Sequence, residues 1–116
     1  MLSFHVVPAV GDYTAPVILY AQPVGNPTIW SKSPTRMVTL LVNTDEKAIC
    51  KYDSTDKSYD DMARVMSGTY YGHTANASVV TNAGIQTYYV RCKDQLDNKN
   101  TVGTKLTFHT IPAVDI

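Results

Sequence analysis

The sequence predicts an all-β protein, an antiparallel β-sandwich of about seven strands with one short helix near residues 59–66. Three observations carry this. Short runs of β-branched and aromatic residues recur along the chain, separated by Gly, Pro, Asn and Asp. Two-residue alternation is clear in the strongest run, where Val38, Leu40 and Val42 share one face. The only two cysteines, Cys50 and Cys92, lie in two such runs, 42 positions apart.

A chain of 116 residues is one domain's worth, and 44% apolar residues suffice for a core. Ten basic and ten acidic residues cancel. That balance argues against a nucleic-acid binder, which carries a basic face, and against a polybasic membrane patch. No run is long enough to insert into a membrane as a helix. The segment Met1-Leu2-Ser3-Phe4-His5 lacks the charged and apolar regions of a signal peptide.

The two ends of the chain resemble each other. Ser3-Phe4-His5-Val6-Val7-Pro8-Ala9-Val10 and Thr107-Phe108-His109-Thr110-Ile111-Pro112-Ala113-Val114 share five of eight residues at an offset of 104. Such a period is about one sandwich domain, and a fixed period signals an array. Residues 1–12 are therefore expected to be the tail strand of a preceding repeat plus linker, and residues 13–116 one module. Two similar edge strands within one domain are the alternative.

Within the module, Val17 to Tyr20 reads as a first strand. Pro23, Gly25, Asn26, Pro27 and Pro34 mark a loop-rich stretch that holds Trp30. Arg36 to Asn43 is the strongest strand. The helix is expected from Ser58 as cap, with Asp61 three residues on and Tyr59, Met62, Ala63 and Met66 on one face. At about two turns it must lie against the sandwich. Tyr71 to Val80, Ile85 to Lys93 and Thr101 to Ile111 complete the strands.

Alternation places Ala48, Cys50 and Tyr52 on one face of their strand, opposite Ile49, Lys51 and Asp53. On the later strand Tyr88, Val90 and Cys92 oppose Tyr89, Arg91 and Lys93. The charged residues fall on the outward faces, so both cysteines point inward. That permits a disulfide, which would close a loop of about 40 residues and contribute roughly 3–4 kcal/mol. Two free buried thiols are the alternative. A disulfide implies an oxidising compartment.

Thr44-Asp45-Glu46-Lys47-Ala48-Ile49-Cys50-Lys51-Tyr52, Tyr59-Asp60-Asp61-Met62 and Gln86-Thr87-Tyr88-Tyr89-Val90-Arg91-Cys92-Lys93-Asp94 resemble a bacterial fibronectin type III or immunoglobulin (Ig)-like repeat. The resemblance covers about residues 15–111. It implies a large secreted or cell-surface protein with tandem modules and no chemistry. It also implies that Cys50 and Cys92 lie on adjacent strands, C and F, of one sheet. The sequence departs from the pattern at Asp97-Asn98, where the family often has Gly-Asn.

Signatures of catalysis such as G-x-S-x-G, H-E-x-x-H, G-x-x-x-x-G-K and C-x-x-C are absent, and the chain is expected to be non-catalytic. His73, a lone strand histidine, is expected to be a packed or exposed strand residue and no ligand. The one metal expectation is calcium at the inter-module end, from Asp12, Asp45, Glu46, Asp94, Asp97 and Asn98, because calcium takes six to eight loop oxygens. Trp30 and Tyr89, with Tyr20, Tyr70 and Tyr71, are candidates for an aromatic glycan-binding strip. Asn76-Ala77-Ser78 matches a glycosylation sequon, a match common by chance.

The expected function is a structural or adhesive repeat of a secreted or surface-anchored bacterial protein, exported by a signal outside this chain. Its expected partners are neighbouring copies, with strand exchange between modules as a variant, and cell-surface glycans or proteins. A carbohydrate-binding accessory module of a secreted enzyme is the alternative.

Overall fold

The computed structural model describes residues 14–113. Among them are β1 (Ile18–Gln22), β2 (Thr28–Ser31), β3 (Thr35–Thr44), β4 (Ile49–Asp53), β5 (Arg64–Val65), β6 (Gly72–Val80), β7 (Ile85–Lys93) and β8 (Thr104–Pro112). They form two sheets, of order β1-β3-β6 and β2-β8-β7-β4-β5. The fold is the expected all-β, Ig-like sandwich. The proposed preceding-repeat segment and linker, residues 1–12, lie outside the described residues, as do residues 13 and 114–116.

The core follows the alternation of the sequence. Val38, Leu40 and Val42 of β3 meet Cys50 and Tyr52 of β4, Val90 and Cys92 of β7, and Leu106 and Phe108 of β8. Their neighbours in sequence face outward, because successive strand residues point to opposite faces. Tyr88 stacks on Phe108 with centroids 6.2 Å apart and meets Tyr52 edge-on at 5.9 Å. Such pairs add a preferred orientation to the area they bury.

Cys50 and Cys92 are bonded, fully buried, and directly opposite each other on the antiparallel pair β4–β7. The bond thus joins neighbouring strands of one sheet. No described cysteine is free.

Two elements differ from the sequence expectation. The helix near 59–66 is a single 3-10 turn, Tyr59–Asp61, followed by the edge strand β5 on β4. A two-turn helix is costly to nucleate, and long-range contacts replace it here. The Asp53 carboxylate accepts the backbone N–H groups of Ser54, Thr55 and Ala63, and Met66 N–H donates to the Cys50 carbonyl. Ser58 makes no backbone cap; its hydroxyl donates to the Asp61 carboxylate. Tyr59, Met62 and Met66 are buried as the helical face required, whereas Ala63 is exposed.

The second difference is β2, inside the Pro-rich stretch read as a loop. After a cis Gln22–Pro23 bond the chain leaves the β1 sheet and lays Thr28–Ser31 parallel to the end of β8.

His73 is fully buried on β6, a packed strand residue. One ring nitrogen lies 2.8 Å from the Gly68 carbonyl oxygen and the other 3.1 Å from the Thr44 hydroxyl. Gly68 makes possible the turn between Ser67 and Thr74, which form an isolated bridge. Its φ is +105°, and a Cβ there would overlap the Gly72 carbonyl oxygen. Gly84 has a similar φ of +95° with open space around it. Gly68→Ala is therefore expected to cost about 3 kcal/mol or more, and Gly84→Ala only about 1 kcal/mol, in urea unfolding.

Candidate functional site

Two regions gather polar side chains. The first is the end of the sandwich where the chain enters. Asp45, in the turn after β3, exchanges two hydrogen bonds with Val17: its carboxylate accepts the Val17 N–H at 2.8 Å, and its N–H donates to the Val17 carbonyl at 3.0 Å. Asn100, in the loop after β7, donates from its side-chain amide to the Pro16 carbonyl at 2.7 Å. Its side-chain oxygen accepts the Cys92 N–H at 2.8 Å, and its own N–H donates to the Cys92 carbonyl at 3.0 Å. The incoming segment, the Asp45 turn and the Asp94–Asn100 loop thus meet at one end, as the topology required.

Asp94 organises that loop. One carboxylate oxygen accepts the N–H groups of Leu96 and Asn98, both at 2.9 Å, and the other accepts the Asn98 side-chain amide at 2.9 Å. Burial alone pushes the Asp94 carboxyl up, but these donors outweigh it and hold it below the ordinary carboxylate range. Asp97 has φ +68°, the left-handed conformation that Gly adopts freely and Asp visits at modest cost. Its carboxylate pairs with Lys93 and Lys99, each at 3.6 Å.

This geometry bears on the calcium set. Glu46 and Asp94 line one shallow hollow with Lys47 and Tyr71. The Asp45, Asp94 and Asp97 carboxylates are engaged by backbone amides, Asn98 or lysines. Among the described residues no group of three or more His, Cys, Asp or Glu is placed to hold a metal ion. Asp12 lies outside the described residues.

The second region is the outward face of the five-stranded sheet, crossed by the segment after β4. Tyr59 is 3% exposed, with the Lys51 ammonium 4.5 Å and the Lys93 ammonium 5.4 Å from its ring centroid. Asp60 pairs with Lys99 at 3.0 Å, and the Arg91 guanidinium binds Asp56 through two N–H groups at 2.9 and 3.1 Å. Gly103 leaves room for this pair, since a Cβ there would overlap the Asp56 carboxylate. The strap partly covers the outward side of the same strands whose inward side carries the disulfide. Sequence reasoning placed Lys51, Arg91 and Lys93 outward and the 59–66 segment against the sandwich, but not the ion pairs that hold the strap, which span 35 to 39 positions.

The aromatic candidates do not form one strip. Trp30 is 57% exposed on β2, in register with Ile111, whereas Tyr89 on β7 is in register with Lys105. Six residues along β8 separate the two positions by about 20 Å. Tyr20 lies on the other sheet. Tyr70 and Tyr71 stand at the chain-entering end, where Lys47 sits 4.9 Å above the Tyr70 ring. Asn76 of the sequon is exposed on β6, its side-chain oxygen accepting the Thr39 hydroxyl at 2.9 Å.

Fold and disulfide together define an Ig-like β-sandwich domain with a cross-strand disulfide in one sheet. No helix among the described residues is long and apolar enough to cross a membrane. Compared with known proteins, the chain matches no family model, and no curated protein is detectably similar to it.

Two tests follow from the chain-entering end. Asn100→Ala leaves the buried Cys92 amide without its partner, so it is expected to lower stability by about 2–3 kcal/mol in denaturant unfolding. Asp94 has a depressed folded pKa. Its contribution is present above the ordinary carboxyl pKa near 4 and lost as pH falls through the folded value. Asp94→Asn is therefore expected to be less stable than the parent at pH 7, with the gap closing toward pH 2. A gap independent of pH would refute this role.

Proposed function

We propose that this domain is a non-catalytic structural or adhesive Ig-like repeat from a tandem array in a secreted or surface-anchored bacterial protein. The observation that carries this is where the chain enters and leaves. Val17 enters beside the Asp45 turn and the loop after β7. At the exit, the Ala113 N–H donates to the Ser31 carbonyl beside the turn that precedes β7. These ends are separated by the nine residues of β7, about 30 Å. Domains joined by a short linker at such ends stack lengthwise.

The match between residues 3–10 and 107–114 supports the same reading, because residues 107–112 belong to β8, the last strand of the sandwich. If residues 3–10 are the last strand of a neighbour, three to five residues remain to join it to Thr14, a short joint. The disulfide fits an oxidising, extracellular location. It also suits a mechanical role: tension on the chain ends cannot extend the 42-residue interval between Cys50 and Cys92.

The exposed Trp30 favours the second reading, a carbohydrate-binding accessory module beside a secreted enzyme. Small-angle scattering of tandem chains, in which copies of residues 11–114 follow one another directly at the 104-residue period, tests the first. The maximum dimension is expected to grow by roughly 30–40 Å per copy. A particle that thickens without lengthening would contradict the array. Glycan-array binding lost in Trp30→Ala would support the accessory module instead.

A further inference from the structure

Strands at sheet edges present unpaired N–H and C=O groups, and proteins blunt such edges with charge, proline, bulges or short length. Four strands bound the two sheets here: β1 and β6 in one, β2 and β5 in the other. Three are blunted. β1 has a register break between Ile18 and Tyr20. β2 is four residues long, and the Arg36 guanidinium donates to its Trp30 carbonyl at 2.7 Å. β5 is two residues long and begins with Arg64.

β6 has none of these devices. It runs nine residues, Gly72–Val80, in unbroken register with β3, and contains no Asp, Glu, Lys, Arg or Pro. At its start Thr74 exchanges two backbone hydrogen bonds with Ser67, at 2.7 and 3.0 Å. This fixes which residues face the open side. By alternation Asn76 and Ser78 aim their N–H and C=O groups the same way as Thr74. No described residue pairs with those groups.

We propose that β6 is a homotypic pairing edge, by which two copies of the domain join β6 to β6 antiparallel about a twofold axis through Ala77. Asn76 of one copy then opposes Ser78 of the other, and the reverse. Each pair exchanges two backbone hydrogen bonds, giving four in all. The same patch serves both copies, as twofold contacts require. The product is one six-stranded sheet, β1-β3-β6 continued into its mirror order.

Charge favours a second copy as the occupant. The outward side chains near this edge, Thr39, Leu41, Asn43, Thr74, Asn76 and Ser78, are uncharged. A twofold mate brings the same neutral surface and opposes no like charges. Asp53, Lys57 and Arg64 line the hollow beside Ser78, where Lys57 and Asp53 are already paired at 3.3 Å, and Arg36 of β3, opposite Val79, donates to the Trp30 carbonyl. Ala77 is 2% exposed with its side chain in its own core, so pairing leaves the packing of each copy intact. This inference does not depend on the tandem-array reading.

Sedimentation equilibrium of the full chain from micromolar to millimolar concentration tests the pairing. The mass is expected to rise toward twice 12.8 kDa. Ser78→Lys sets a charge against Asn76 of the mate and is expected to restore the monomer while keeping the thermal transition. Hydrogen exchange at the Asn76 and Ser78 amides, in the unaltered chain, is expected to slow at least tenfold between the concentration extremes. A chain that stays monomeric at millimolar concentration, or exchange rates that do not change, overturns the proposal. So does association lost in a Phe4→Asp, Val6→Asp variant, which would make residues 3–10 the occupant.

Discussion

Much of the architecture depends on the cross-strand pair Cys50–Cys92. Its Cα atoms lie 4.0 Å apart, the close spacing of a pair that does not exchange backbone hydrogen bonds. Residues in that position turn their N–H and C=O groups away from each other, so each flank needs its own partner. Met66 N–H supplies one side, at the Cys50 carbonyl. From Met66 the chain crosses directly to the other sheet through the Ser67–Thr74 bridge. Asn100 supplies the other side and also holds Pro16. One covalent contact between two strands thereby fixes both a sheet-to-sheet crossing and the point where the chain enters.

The five-stranded sheet is used on both faces. Inward it contributes the disulfide, Tyr52, Val90, Leu106 and Phe108 to the core. Outward it carries lysines and Arg91, which would be an ordinary solvated surface without the strap. Tyr59 converts it into a small second packing layer, its ring held against Lys51 and Lys93. Those two ammonium groups lie over the ring face, Lys93 also pairs with Asp97, and Lys99 bridges Asp60 and Asp97 at the rim. Individually such pairs are worth little in water. The buried Tyr59 and the half-covered Arg91–Asp56 pair make the strap a fixed element.

Where alternation was strong, the sequence already located the strands and their faces. β3, β4 and β7 turn toward the core the residues that period two assigned inward, Tyr88 only half-buried, and the structure adds the direct opposition of the two inward-facing cysteines. The hidden parts share one cause: they depend on partners far along the chain. β2 is four residues among prolines, and only the end of β8, 81 positions on, gives it a ladder. The residues after Ser58 do have helical spacing. Local spacing lost to Asp53, whose carboxylate accepts the Ala63 N–H ten positions on, and to β4, which accepts β5 as an edge. The end cluster was located by topology, but the carboxylates there answer to backbone amides and lysines. That preference reflects donor geometry, which composition does not encode.

The two proposed contacts use different surfaces. Lengthwise stacking engages the loops at the ends, around Pro16 and Asn100 on one side and Ala113 and Ser31 on the other. The β6 edge runs along the side of the sandwich, parallel to the line joining those ends. A joint between successive domains would therefore leave Asn76 and Ser78 open, and pairing at β6 would leave Val17 and Ala113 clear. The charged strap lies on the outward face of the opposite sheet and borders both surfaces, with Lys57 in the hollow beside Ser78 and Asp60 paired to Lys99 in the loop that holds Asn100. In such an arrangement rows of domains could associate side by side through the one long neutral edge. The other three edges, shortened, bulged or capped by arginine, would limit further growth of the sheet.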